Sequence, residues 1–163
     1  VTGRFANAVA AQNSPGYTVL YKDTAMKDLQ AAGLLNSTGA APNLGRLLSR
    51  LPSDFSKGRE DFTFTPSHAV AEKYRRLLHQ RREMTKTVVI CFRIPNAAVK
   101  SLVDPTIQRI HRPSPEWKQL IWHYRREHAL PPHLVKYKNA TLIIGTIATR
   151  TAMFYSNNLQ SWE

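Results

Sequence analysis

The stretch "GYTVLYKDTAM", residues 16–26, decides how the chain is to be read. "YTVLYK" alternates and is rich in β-branched and aromatic residues, which suit a pleated, half-buried surface, so it reads as a strand. Beyond it Met26, Leu29 and Leu34 take helical spacing, and Gly33 is placed to end a short helix. Between the two lie Lys22, Asp23 and Thr24, and Asp23 or Thr24 is placed to cap that helix. A cation and two polar side chains at the mouth of a buried strand fit either a capped turn or one wall of a site for an anion.

Working outward, residues 1–15 lack a clear period and read as a loose N-terminal arm with a short helix at "FANAVAAQ". Residues 36–60 form a long, Gly- and Ser-punctuated connection containing helical turns at "LGRLLSRL". "EDFTFTPSHAVAEKYRRLLHQRREM" then reads strand, turn, helix. Thr65 is the expected cap and Pro66 falls in the first turn, while Ala69, Val70, Tyr74, Leu77 and Leu78 form the apolar face. Lys73, Arg75, Arg76, Arg81 and Arg82 occupy the opposite face.

"KTVVICFRIPN" is the strongest strand, and its single cysteine, Cys91, reads as a buried small hydrophobe. "AAVKSLVD" follows as a short helix and "TIQRIH" as a strand. In "SPEWKQLIWHYRREHAL", Pro115 suits a first helical turn, with Trp117, Leu120, Ile121 and Tyr124 on one face. "NATLIIGTIA" reads as a second buried strand, with "RTAMFY" pairing across a turn. Helices and strands do not alternate regularly, which favours α+β over a wound parallel sheet.

The 163 residues suit one domain, expected over residues 16–163. No apolar run reaches the ~20 residues of a membrane span. A formal charge of +12 creates a long-range field attractive to polyanions, whether nucleic acid, anionic lipid or an acidic protein. The basic helix and "WHYRREH" mix cations with aromatic rings, the composition of a phosphate- or base-contacting surface. None of the six histidines makes an HExxH pair, and no metal site is expected. His123 and His128 lie among arginines, which suggests a surface position. A pair of the six histidines with a lysine would serve a ribonuclease, one imidazole as base and one as acid, but the sequence does not fix their geometry.

Three fragments together resemble the ADP-ribosyltransferase fold shared by cholera-type toxins and poly-ADP-ribose polymerases. "LYKDT" presents Lys22 where toxin-like members carry an arginine that holds NAD phosphate, followed by Asp23 and Thr24. "DFTFTPSHAVAEKY" resembles the strand-turn-helix that carries the functional serine or tyrosine. Thr63 stands at that position, Thr65 at the second hydroxyl, and Ala71 and Tyr74 at the packing positions. "PSPEWKQLIW" resembles the segment with the glutamate pair, with Trp117 at the first position and Gln119 at the catalytic one; Glu116 is the alternative acid.

The resemblance implies a split, mostly antiparallel two-sheet core with flanking helices. It implies NAD as co-substrate, bound by Lys22, Thr24, Thr63 and Thr65, with Gln119 or Glu116 at the reacting ribose and Trp117 recognising the acceptor. It further implies a secreted toxin- or effector-type protein, its signal peptide already removed, acting inside another cell on a host protein or nucleic acid. ADP-ribosyl transfer passes through a cationic ribose that a carboxylate stabilises. Lysine for arginine keeps a phosphate partner and threonine for serine keeps a hydroxyl, but glutamine for glutamate removes the charge. Two expectations follow: an NAD-dependent transferase or NAD-cleaving enzyme using Glu116, or an inactive pseudoenzyme working as a basic nucleic-acid- or protein-binding module.

Overall fold

The computed structural model describes residues 15–34, 43–49, 54–55, 61–81, 85–112, 114–126 and 128–148. The expected N-terminal helix and the strand at "RTAMFY" lie outside these residues. The protein is α+β, and the chain divides into two compact units, residues 1–48 with 62–101, and residues 49–61 with 102–163.

In the first unit β1 (Tyr17–Ala25) pairs antiparallel with β2 (Thr87–Pro95) through nine residues, from Tyr17 opposite Pro95 to Ala25 opposite Thr87. β-branched and aromatic residues on both strands favour this ladder, and cross-strand contacts reinforce it, with the Arg93 guanidinium 4.6 Å above the Tyr17 ring. Cys91 faces outward and is exposed, not buried. The alternation of β2 turns Phe92 toward Phe64, 5.1 Å away edge-on, and sends its neighbour to the other face.

On the other edge of β1, Tyr21 exchanges both backbone hydrogen bonds with Thr65, at 2.7 and 2.9 Å. The strand expected over residues 62–65 therefore shrinks to an isolated bridge. In one direction the next amide in register is that of Ser67, which donates instead to the Thr65 hydroxyl at 3.2 Å. In the other direction a ladder would set the Thr63 carbonyl against the Asp23 amide, but that carbonyl accepts from the Lys22 ammonium, at 3.5 Å.

Helix α1 (Met26–Ala31) follows β1 without a side-chain cap. Neither Asp23 nor Thr24 caps it, because both are still in the strand; the Met26 amide donates to the Lys86 carbonyl at 2.8 Å. The helix ends as expected at Gly33, whose φ of 76° suits glycine. There the Gly33 and Leu34 amides return to the Gln30 and Leu29 carbonyls, closing the paired C-terminal bonds of a Schellman motif.

Helix α2 (His68–Arg81) lies on both strands of this sheet. Its cap is Ser67, whose Oγ accepts from the Val70 amide at 3.3 Å. Thr65 sits two residues too early and instead accepts from the Ser67 amide. The packed face is also rotated from the expected one. Ala71 is buried and lets the helix approach the sheet, while Arg75 reaches inward to Thr87; Ala69, Tyr74 and Leu77 are exposed. Helix α3 (Asn96–Lys100) follows β2, and Asn96 binds back to Gly16 and Thr18 at the start of β1.

The second unit is built on β3 (Ile107–Ile110) and β4 (Leu142–Gly145), which run parallel, in contrast to the mostly antiparallel pairing expected. A parallel pair needs a long crossover, here residues 111–141. The crossover contains α4 (Pro115–Arg125), a short 3₁₀ turn (Pro132–Leu134) and α5 (Val135–Asn139). Ser114 caps α4 by accepting from the Trp117 amide, and Pro115 occupies the first turn, where its missing N–H costs nothing. The apolar stripe is the one expected: Trp117, Leu120, Ile121 and Tyr124 are all buried, together with Ile110, Leu134, Tyr137 and Ala148. Among the described residues no helix is long and apolar enough to cross a membrane.

Candidate functional site

The first unit brings Lys22 and Thr63, 41 residues apart in sequence, into contact. Lys22 is only 6% exposed, and burial pulls its ammonium below the usual lysine range, partly offset by the charge of Asp23. Asp23 is displaced the other way: burial raises its carboxyl, and Lys22 opposes the rise. Alternation along β1 puts Thr24 on the same side of the strand as Lys22, and it too is buried. Thr63 is exposed and offers Lys22 its main-chain carbonyl, while the Thr65 hydroxyl stabilises the turn into α2. The ring of Tyr21 meets His68 edge-on at 5.2 Å, so the first turn of α2 rests on β1 beside this group.

Glu116, Trp117 and Gln119 belong to the second unit. Trp117, expected at the acceptor-recognition position, faces inward. Its side chain is part of the core at 2% exposure, and its Nε1 donates to the Thr146 carbonyl at 2.6 Å, so the ring packs on the unit's own chain.

Glu116 is the centre of a polar cluster that sequence reading did not foresee. One carboxylate oxygen pairs with the Lys136 ammonium at 2.9 Å, and the other accepts from the Tyr137 hydroxyl at 3.0 Å. The Lys136 contact holds the Glu116 carboxyl below its usual range, assisted by Tyr137 and opposed by slight desolvation. The same contact raises Lys136. Tyr137 is raised by burial first and then by its bond to Glu116. Gln119, one turn on, contacts His133 through Oε1 and Nε2 at 2.9 Å. No signal in "PHLVKYKN" marks these partners, because the short helix carrying them has no amphipathic repeat to betray it.

Chemically, the first unit offers a desolvated cation beside main-chain and side-chain oxygens, an arrangement able to meet phosphate. The second offers a carboxylate with both oxygens occupied and an amide held by an imidazole. Among the described residues no group of three His, Cys, Asp or Glu side chains is placed to hold a metal ion. Compared with known proteins, the chain matches no family model, no curated protein and no solved structure.

Proposed function

We propose that this chain is an ADP-ribosyltransferase-like domain that binds NAD through its phosphates and has lost most or all of the transfer step. Support comes from one observation: Lys22 and the Thr63 segment, the first two fragments of the resemblance, meet on the buried stretch of β1. In this reading Lys22 meets the phosphates, with Thr24, Thr63 and Thr65 near it. The position that the resemblance gives to the catalytic glutamate holds Gln119, an amide, and the alternative acid, Glu116, is paired with Lys136. Loss of such a charge at a developing oxocarbenium ion costs on the order of a hundredfold or more in rate.

Calorimetric titration with NAD, followed by a nicotinamide-release assay, tests this. Expected are binding at or below millimolar NAD, affinity roughly 10- to 100-fold weaker in Lys22→Met, and nicotinamide release near the blank. No heat at millimolar NAD, or unchanged affinity in a folded Lys22→Met, refutes it. A second reading, a basic protein- or nucleic-acid-binding module, is favoured by Lys73 and Arg76, exposed along one side of α2. It predicts an affinity that falls steeply with salt and survives Lys22→Met.

A further inference from the structure

His123, in the last turn of α4, and His128, just beyond its end, are drawn together by the chain itself, because the His128 amide donates to the His123 carbonyl at 2.9 Å. Their ring centroids are 6.4 Å apart, and the planes are inclined by 67°. Both rings meet the Trp122 indole edge-on, His123 at 4.8 Å and His128 at 4.9 Å, so one rigid side chain sets the position of both imidazoles. The Arg126 guanidinium lies 5.3 Å from the centre of the same indole. Nδ1 of His123 is buried, so a proton leaves this ring through Nε2, and the buried indole N–H of Trp122 donates to no described acceptor. His128 and Arg126 are exposed.

Two imidazoles at this separation, with a guanidinium beside them, match what phosphodiester transesterification requires: a base, an acid and a cation for the phosphate. We infer that the Trp122–His123–Arg126–His128 cluster is a cleavage site for single-stranded RNA. His123, in the last turn of α4, acts as the acid. His128 acts as the base. It takes the proton of the 2′-hydroxyl as that oxygen bonds to phosphorus, and the P–O5′ bond breaks as His123 delivers its proton to the departing O5′. The products are a 2′,3′-cyclic phosphate and a 5′-hydroxyl, and no co-reactant is consumed. Arg126 holds the non-bridging phosphate oxygens, Trp122 is a positioning residue, and the net charge of +12 draws the polyanion in.

The full chain is incubated with a fluorogenic RNA oligonucleotide and with the same oligonucleotide carrying a 2′-deoxy sugar at the cleavage position. Expected are cyclic-phosphate ends from the first and none from the second. His128→Ala and His123→Gln, prepared in parallel and checked for native circular dichroism, should each lose roughly 100-fold or more in kcat. Arg126→Ala should mainly raise KM. Should His123→Gln fail to fold, the exposed His128→Ala decides alone. Cleavage no faster than the buffer blank, cleavage of the deoxy substrate, or an undiminished rate in folded His128→Ala overturns the assignment. None of these results depends on NAD binding.

Discussion

Replacing Asp54 with alanine removes the carboxylate that ties residue 54 to two other segments of the second unit. One oxygen of Asp54 pairs with the Arg125 guanidinium, and the other accepts from the Ala148 amide at 2.7 Å. The two side chains are only 10% and 17% exposed, so water substitutes poorly for either partner. Removing one member of a buried pair costs about 3–5 kcal/mol, because the remaining charge stays desolvated. Residual exposure here places the pair near the lower end. An orphaned buried amide adds about 1–3 kcal/mol, part of which overlaps the first term, since one carboxylate serves both. Asp54→Ala should therefore cost about 3–4 kcal/mol.

Urea denaturation read by tryptophan fluorescence reports on this unit, which holds Trp117 and Trp122. At a slope of about 2 kcal/mol per molar, the midpoint should fall by about 1.5–2 M. Arg125→Ala combined with Asp54→Ala should lose less than the sum of the single losses, by about 2 kcal/mol. A single-mutant loss below about 1 kcal/mol, or strictly additive losses, would show that the pair does not tie residue 54 to the rest of the unit.

The remaining predictions concern a close approach and two titrations. Gly145→Ala puts a methyl 2.7 Å from Ile110 Cγ2 and 3.0 Å from both the Ile110 carbonyl and Phe55 Cζ. A backbone carbonyl cannot give way cheaply, so thermal unfolding should register a loss of about 1–3 kcal/mol. Glu116 has a folded pKa below its ordinary 4.5, so the stability it supplies is present above that value and lost as the pH falls through the lower folded one. Glu116→Gln should flatten the acid limb of the stability–pH curve, and an unchanged limb would count against the pairing with Lys136. Lys22 has a folded pKa below its ordinary 10.5, so the unfolded chain holds this proton more tightly and the burial penalty is relieved as the pH rises toward 10.5. Difference titration of wild type against Lys22→Met should show that alkaline rise in wild type alone.

The elements with a strong local period were legible. Trp117, Leu120, Ile121 and Tyr124 repeat at helical spacing behind Ser114 and Pro115, and α4 is that helix with that cap. Strands β1 and β2 were legible from their β-branched runs, and the end of α1 from Gly33. The face of α2 was misjudged because it follows the small Ala71 and the inward-reaching Arg75, and a hydrophobic count scores neither as an anchor. Of the candidate site, Lys22 and Thr63 were legible only as motif positions, not as an ammonium–carbonyl contact. The bond from the Trp117 indole to Thr146 and the capture of Glu116 by Lys136 and Tyr137 were not, because each depends on partners 20 to 29 residues away.

The amino-acid order alone determined the mixed α+β character, the placement of most helices and strands, and the excess of positive charge, since these follow from local propensity, periodicity and counting. Tertiary structure decided which strands pair and in which direction, that residues 62–65 touch β1 at a single bridge, and that Asp54 closes on Arg125 and Ala148. It also decided that His123 and His128 share one indole. The physical reason is the same in each case: pairing and burial are bargains between distant segments, settled by which carbonyls, charges and rings are left to be satisfied once the chain has closed on itself.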